Sequence, residues 1–442
     1  MMIHYAKVTE ENGVIIALDQ EKAYDRVAHD YLWRTLDAFH FPPSFTATVQ
    51  SLYEHATTVV IINGETSSPF RITQGVRQGD PMSCLLFNLA IELLACMLRN
   101  SQLEGFYIPG VPERIITTLF ADDTMTYLSE RDDFAVLSDI LNTWCLASTA
   151  RFNVDKTEII PIGSTEYREQ VITKHCLGPQ SLAFPAQVHI TCDGDAIRSL
   201  SAWIGNNVDN ASPWSTIMDK IKASLLRWSQ GHPTLKGRRL IIQMVIGGMT
   251  QYLTRVQGMP KHIEESLTKI IRNFMWDDHR GPTVSLDMLC QPLTNGGLGV
   301  LHLAARNDVI IIKDLQSFLD IGPDRPTWAF IVDFLILENI TRASGNVPVN
   351  AQTNIFLQTW KVNIQPSSHL PIFLKKLLKT GTKYKVTFGT LKPSKNLQSK
   401  LPIWYHFGAG ERFRSLNNSP SGKCLRDNHN VATIGDLLKT TK

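Results

Sequence analysis

Three aspartates are the residues of this chain best suited to chemistry. Asp122 and Asp123 are adjacent within Thr117-Thr118-Leu119-Phe120-Ala121-Asp122-Asp123-Thr124-Met125-Thr126-Tyr127, a stretch that reads as a β-hairpin with the acids at its tip. Two like charges side by side resist ionising together, and a turn beside a core seldom keeps them without a counter-ion. A divalent cation resolves the conflict, because a hard metal such as Mg²⁺ takes a few carboxylate oxygens together with phosphate and water. The third acid, Asp19, closes the unbroken apolar run Val14-Ile15-Ile16-Ala17-Leu18, which reads as a buried strand. Three aspartates on two neighbouring strand ends are the layout of two-metal phosphoryl transfer. Taken alone, the pair is equally an Asx-type turn with solvated carboxylates.

The elements that must position these acids alternate as far as Gly163. After the strand ending on Asp19, amphipathic helices are predicted over His29–Phe39 and Ser44–Tyr53. A strand follows over Thr57–Ile62, turning at Asn63-Gly64. Asp80 as N-cap and Pro81 at the first helical position predict a helix through Met82–Met97. The aspartate hairpin comes next, then a helix over Asp133–Ser148 and a strand over Thr157–Ile162. The plan is α+β, an antiparallel sheet with helices on one face. From Gly163 to Ala196 the pattern dissolves into a long connection. Trp214–Trp228, Gly237–Tyr252 and Lys261–Trp276 then show helical spacing and predict a bundle, with further helices over Asn307–Leu319 and Trp328–Glu338.

The bulk properties exclude several classes. Seven scattered cysteines without a C-x-x-C pair support neither a disulfide framework nor a zinc knuckle, and favour a reducing compartment. The longest apolar stretch, Leu85–Leu98, contains Asn88 and Glu92 and is too short to span a bilayer. An intracellular protein without a membrane partner is expected. The net charge of +3 is nearly neutral, but Lys375, Lys376, Lys379, Lys383, Lys385, Lys392 and Lys395 lie in a stretch free of acids. That block reads either as a phosphate-binding surface or as a solvated segment.

Several stretches resemble one family. Ala17-Leu18-Asp19-Gln20-Glu21-Lys22-Ala23-Tyr24-Asp25-Arg26-Val27, Gly75-Val76-Arg77-Gln78-Gly79-Asp80-Pro81-Met82-Ser83 and Phe120-Ala121-Asp122-Asp123 resemble the palm motifs of reverse transcriptases, in wording closest to the non-LTR (LINE-type) retrotransposons. Arg151-Phe152-Asn153-Val154-Asp155-Lys156-Thr157-Glu158 resembles the motif after the catalytic hairpin. Gly237-Arg238-Arg239-Leu240-Ile241-Ile242-Gln243, Phe274-Met275-Trp276 and Gly296-Gly297-Leu298-Gly299 look like the thumb and post-thumb region. The resemblance implies a palm over residues 1–163, a connection over 164–198, a helical thumb over 199–280 and a mainly helical C-terminal region over 281–442. It implies RNA-directed DNA synthesis with RNA template, DNA primer and dNTP as partners, two Mg²⁺ ions (Mn²⁺ as substitute), and a nuclear or cytoplasmic location.

Roles follow from the matched positions. Asp19, Asp122 and Asp123 would hold the metals. Asp123 points to the opposite face of an extended chain, so its part depends on the turn. Asp25 lies past the strand end and reads as structural. Tyr24 stands where the family carries an aromatic that would collide with a ribose 2′-hydroxyl, although a core tyrosine explains the same ring. Gln78 and Gly79 would face the nucleotide or template base. Lys156 would sit by the leaving pyrophosphate, with a surface lysine as the alternative. Arg238 and Arg239 would contact primer–template phosphates. Only Met1–Gly13 precede the first catalytic strand, so the fingers segment of complete members is expected to be missing. A relic that binds nucleic acid without polymerising is therefore the rival reading, and an unrelated metal phosphohydrolase is a distant third.

Overall fold

Five strands form the central sheet: β1 (Gly13–Gln20), β2 (Thr117–Phe120), β3 (Asp123–Ser129), β4 (Phe152–Ile162) and β5 (His189–Ile190). Their spatial order is β2-β3-β1-β4-β5. This is a computed structural model, and it describes residues 1–276, 284–341, 347–386 and 394–440. The chain divides into two units, Met2–Leu200 with Ile204–Val208, and Ser201–Trp203 with Asp209–Lys442.

In the first unit, Val14, Ile15 and Ile16 of the middle strand are all buried, as their unbroken apolar run requires. β1 pairs antiparallel with both β3 and β4, while β4 and β5 pair in parallel. The sheet is thus mixed, where the sequence predicted a purely antiparallel one. The extra strand comes from the stretch read as a connection. There a helix, Thr165–Lys174, starts at Ser164, whose hydroxyl accepts from the Tyr167 amide at 3.2 Å. Tyr167, Val171, Leu177, Phe184, Val188 and Ile190 then join the core of the sheet. Glycines, prolines and serines between these apolar residues hide their period from the sequence.

Three helices, His29–Ala38, Ser83–Arg99 and Phe134–Ser148, pack on one another and are pinned by one polar contact set. The Trp144 indole is 1% exposed and donates to the Tyr31 hydroxyl at 2.9 Å, which donates to Ala90 O at 3.0 Å. Each helix supplies one member. The middle helix begins at Ser83, later than predicted, because Pro81 and Met82 form a turn. The Asp80 carboxylate still accepts from the Met82 amide at 2.8 Å. The predicted strand Thr57–Ile62 splits in two. Thr57–Thr58 pairs with Phe70–Arg71, and Ile61–Ile62 pairs with Glu65–Thr66 across Asn63-Gly64, both at positive φ as a two-residue hairpin turn demands.

The second unit is helical. Helices Ser212–Ser229, Leu235–Ile242, Gly248–Gln257, Lys261–Met275 and Leu303–Phe318 bury Trp214, Ile221, Ile242, Leu267 and Ile271 in one core. A π-helical turn at Gln243–Gly247 interrupts the helix predicted as continuous from Gly237, and Arg306 Nη1 donates to Gly247 O within it. The Gly296–Gly299 stretch folds back so that the Leu298 amide reaches Leu289 O at 3.0 Å. A Cβ on Gly297 would meet Gln291 O at 2.0 Å, so only glycine fits there. Among the described residues no helix is long and apolar enough to cross a membrane.

Candidate active site

The β1–β3 ladder closes with Leu18 opposite Thr124, so the next residues on each strand are Asp19 and Asp123. The β2–β3 hairpin turns through Ala121-Asp122, with Phe120 paired to Asp123. Ala121 has φ +53°, a left-handed conformation that a residue with a Cβ normally avoids. Asp122 therefore rides the turn, and Asp123 is the first residue of β3.

A cavity of about 410 Å³ opens at these strand ends, lined by Asp19, Asp123, Lys156, Glu158, His189 and Arg198 among others. An irregularity in β4 shapes it. Ala17 pairs with Glu158 but Asp19 pairs with Asn153, so a two-residue step on β1 spans five on β4. The surplus bulges out as Val154-Asp155-Lys156, all exposed. Lys156 Nζ comes to 3.7 Å from Asp19 Oδ2, with the side chains 68% and 43% exposed. At that exposure the pair is worth under about 1 kcal/mol and opens readily.

Electrostatics tie the three aspartates together. Burial, then the charges of Asp122 and of Asp19, push the Asp123 carboxyl above its ordinary value. Asp122 also acts on Tyr24. Burial, contact with the Cys84 thiol and the charges of Cys84 and Asp122 raise the Tyr24 hydroxyl. The structure thus brings Asp19 and Asp123 to one cavity and leaves Asp122 on the turn, within electrostatic reach of Asp123 and Tyr24. The donor chemistry suits a hard divalent ion, since carboxylates supply hard oxygens and a cation would relieve the repulsion that Asp122 and Asp19 exert on Asp123. Among the described residues, however, no three His, Cys, Asp or Glu side chains are gathered closely enough to hold a metal.

The Tyr24 ring is half-buried and stacks on Phe87, centroids 4.6 Å apart and 15° from parallel. Its backbone is tied to the glycine-rich loop, for the Val76 amide donates to Tyr24 O and the Gly75 amide to Val27 O, both at 2.7 Å. Gly75 has φ +84°, and a Cβ there would lie 2.8 Å from the Asp25 backbone. Asp25 therefore supports this crossing with its backbone while its side chain faces solvent. Beyond it Gln78 and Gly79 are exposed, and the space beside Gly79 Cα is open.

The second unit corrects the reading of its cations. Arg238 is 7% exposed, donates to Pro233 O at 3.0 Å and Phe274 O at 2.6 Å, and covers the Phe274 ring. No phosphate reaches a guanidinium so enclosed. Arg239 is half-buried and donates to Gly299 O at 3.1 Å. Of the lysine block, Lys375 and Lys376 donate to backbone carbonyls and Lys383 pairs with Asp308 at 2.6 Å. Lys379, Lys385 and Lys395 are exposed, and Lys392 lies outside the described residues. Sequence reading missed His189 and Arg198. Only the β4–β5 register, which sets His189 opposite Glu158 at 3.6 Å, brings the histidine to the cavity.

Residues 2–178 match the family model described as reverse transcriptase (RNA-dependent DNA polymerase). The chain is 25% identical over 382 residues to the transposon TX1 149 kDa protein of Xenopus laevis, covering 86% of this chain and 27% of that protein. It is 32% identical over 349 residues to the Pol polyprotein of the R2 retrotransposable element of Popillia japonica, covering 75% and 54%. It thus spans about a quarter and about half of the length of these relatives. A telomerase of Candida tropicalis, solved with a TWJ fragment of telomeric RNA, aligns at a TM-score of 0.30 and 15% identity over 72% of this chain and 49% of that one, too weak a likeness to argue from.

Proposed function

Residues 2–178 form a reverse transcriptase domain related to the Pol proteins of non-LTR retrotransposons, and from that premise we propose that this chain extends a DNA primer on an RNA template. In this reading the sheet unit is the palm, and the helical bundle within residues 199–280 is the thumb. Asp19, Asp122 and Asp123 would hold two Mg²⁺ ions, which when bound would lower the pKa of the primer 3′-hydroxyl and neutralise charge on the leaving pyrophosphate. The primer hydroxyl releases its proton to solvent as its oxygen bonds to the α-phosphorus of the dNTP, and the bond from that phosphorus to the oxygen bridging to the β-phosphate breaks. Lys156, displaced from its weak pairing with Asp19, offers a proton and a positive charge to the pyrophosphate. Tyr24, braced by Phe87, sits under the sugar and excludes a 2′-hydroxyl. The exposed Gln78 and the open backbone of Gly79 meet the base or sugar edge.

The observation that carries this reading is the placement of Asp19 and Asp123 just past the Leu18–Thr124 pair, at adjoining strand ends that line one cavity with Lys156. The test is primer extension on an RNA template with Mg²⁺, comparing this chain with Asp122→Ala. Asp122-dependent synthesis is expected. One observation favours a second reading, a protein that binds primer–template without extending it: the acids are not gathered around a metal position among the described residues. Binding without synthesis at any Mg²⁺ or Mn²⁺ concentration would establish that alternative.

A further inference from the structure

The charge of this chain is unevenly divided. The 82 residues from Lys361 carry 15 Lys and Arg against 3 Asp and Glu, whereas the whole chain carries 44 against 41, so the first 360 residues are acidic by nine. Several of these cations are spent internally, as Lys375, Lys376 and Lys383 show. Two of the three acids are spent as well. Asp427 pairs with Arg426 and accepts from Asn350, and Asp436 accepts from the amides of Ala432 and Thr433. Exposed positive charge remains in the stretch from Tyr405 to Lys423, where Arg412, Arg414 and Lys423 face solvent and Glu411 is the single acid.

Two large rings are interleaved with those charges. Phe407 is 52% exposed and Phe413 is 62% exposed. Both rings are held in place by a defined hydrogen-bonded framework. The Phe407 amide donates to Leu357 O at 2.8 Å, and the Tyr405 amide donates to Asn417 Oδ1 at 3.1 Å. The Arg414 guanidinium donates to Ala409 O at 2.9 Å and Phe407 O at 3.4 Å, tying the two ring-bearing segments together. Between the rings lie Gly408, Ala409 and Gly410, and the space beside Gly410 Cα is open.

We propose that residues 405–423 form a docking platform for single-stranded RNA, with bases stacking on Phe407 and Phe413 and phosphates neutralised by Arg412 and Lys423. Every base offers a π-face once it is unstacked, and a positive rim follows the backbone without reading sequence. A duplex hides its base faces and would use the cations alone. The choice of RNA rests on the proposed function, because the uncopied part of the template is the single strand that such an enzyme carries.

The test is fluorescence anisotropy with the whole chain and three labelled probes: an unstructured RNA 20-mer, the same RNA as a duplex, and the DNA 20-mer of that sequence. Phe407→Ala with Phe413→Ala should weaken single-stranded RNA binding by about tenfold per ring. Duplex binding should stay unchanged, and Phe413→Trp should restore the loss at that ring. Both rings are exposed, so thermal melting should not move. Unchanged affinity for the RNA 20-mer, or an equal fall for the duplex, would overturn the proposal. So would a larger fall for the DNA, which would assign the platform to another strand, or full affinity in the Phe→Leu variants, which would make it an apolar protein contact. The anisotropy is read without primer or dNTP, so failure of primer extension leaves this inference standing and failure of RNA binding leaves the polymerase reading standing.

Discussion

Lys156 and Arg238 are both cations inside family-like motifs, and the two regions that hold them use charge in opposite ways. At the strand ends of the sheet unit, Lys156 is lifted out of β4 by a bulge and stands exposed beside Asp19. In the helical unit, Arg238 is enclosed and its donors are taken by two carbonyls and a ring. The first arrangement leaves a charge available to an incoming anion. The second uses a charge as a crosslink, because a buried guanidinium is tolerable only when its hydrogen bonds are filled. A cation in a motif is therefore read by its partners, and carbonyl partners mark architecture.

The largest expected effect tests the open end of that contrast. Asp19→Asn should lower primer extension by more than about a hundredfold, since it removes a carboxylate that the proposed function assigns to the metals. Primer–template affinity, read separately by anisotropy, should hold. Extension at the parental rate would remove the metal site from the sheet unit.

Arg238→Ala comes next. It leaves Pro233 O and Phe274 O without a donor and opens space over Phe274, so unfolding in urea should show a loss of about 2–4 kcal/mol. Nucleic-acid affinity of the folded variant and its salt slope should not change. A reduced slope with parental stability would return Arg238 to the phosphate-binding surface. Lys156→Ala should behave in reverse, with stability within about 0.5 kcal/mol of the parent and extension down by about a hundredfold.

A smaller, pH-dependent effect probes Asp123. Its carboxyl is raised by burial and by two neighbouring acids, so it takes a proton more readily in the metal-free fold than in the unfolded chain. The metal-free chain should gain stability as pH falls from above that raised value to below the ordinary carboxylate value. Bound Mg²⁺ needs the ionised form, so its apparent affinity should fall by up to about tenfold per pH unit over the same window. Asp123→Asn should abolish both trends, and a persisting stability trend would assign it to another group.

The smallest effect concerns Tyr24. Tyr24→Ala should raise ribonucleotide incorporation relative to deoxynucleotide by several-fold and soften the packing of Phe87 by about 1 kcal/mol. A stability change with an unaltered sugar ratio would make Tyr24 a packing residue only.

How much of this was legible depended on the range over which each signal acts. The run Val14–Leu18, the Asn63-Gly64 turn and the spacing of Trp214–Trp228 are local patterns, and the elements appear where those patterns lie. The segment after Gly163 was not legible. Its helix and β5 are held by burial of Tyr167, Val171 and Phe184 against elements distant in sequence, and no local period announces them. Likewise Gly237-Arg238-Arg239 reads as an exposed basic pair until Phe274 closes over it.

By itself the sequence determined the apolar strand beneath Asp19, the hairpin carrying Asp122-Asp123, the helical character of the second half and the family to which its motifs point. These follow from hydrophobic period, turn chemistry and residue spacing, which are encoded within a dozen or so neighbouring residues. The tertiary structure alone decided that β5 joins the sheet in parallel, that a bulge delivers Lys156 to Asp19, that Asp123 shares the cavity while Asp122 rides the turn, and that Arg238 is a crosslink. Each of these depends on strand register or on burial by a distant segment. Pairing and enclosure between remote parts of the chain are settled only when the whole unit closes, since one residue of slip would turn every side chain to the other face.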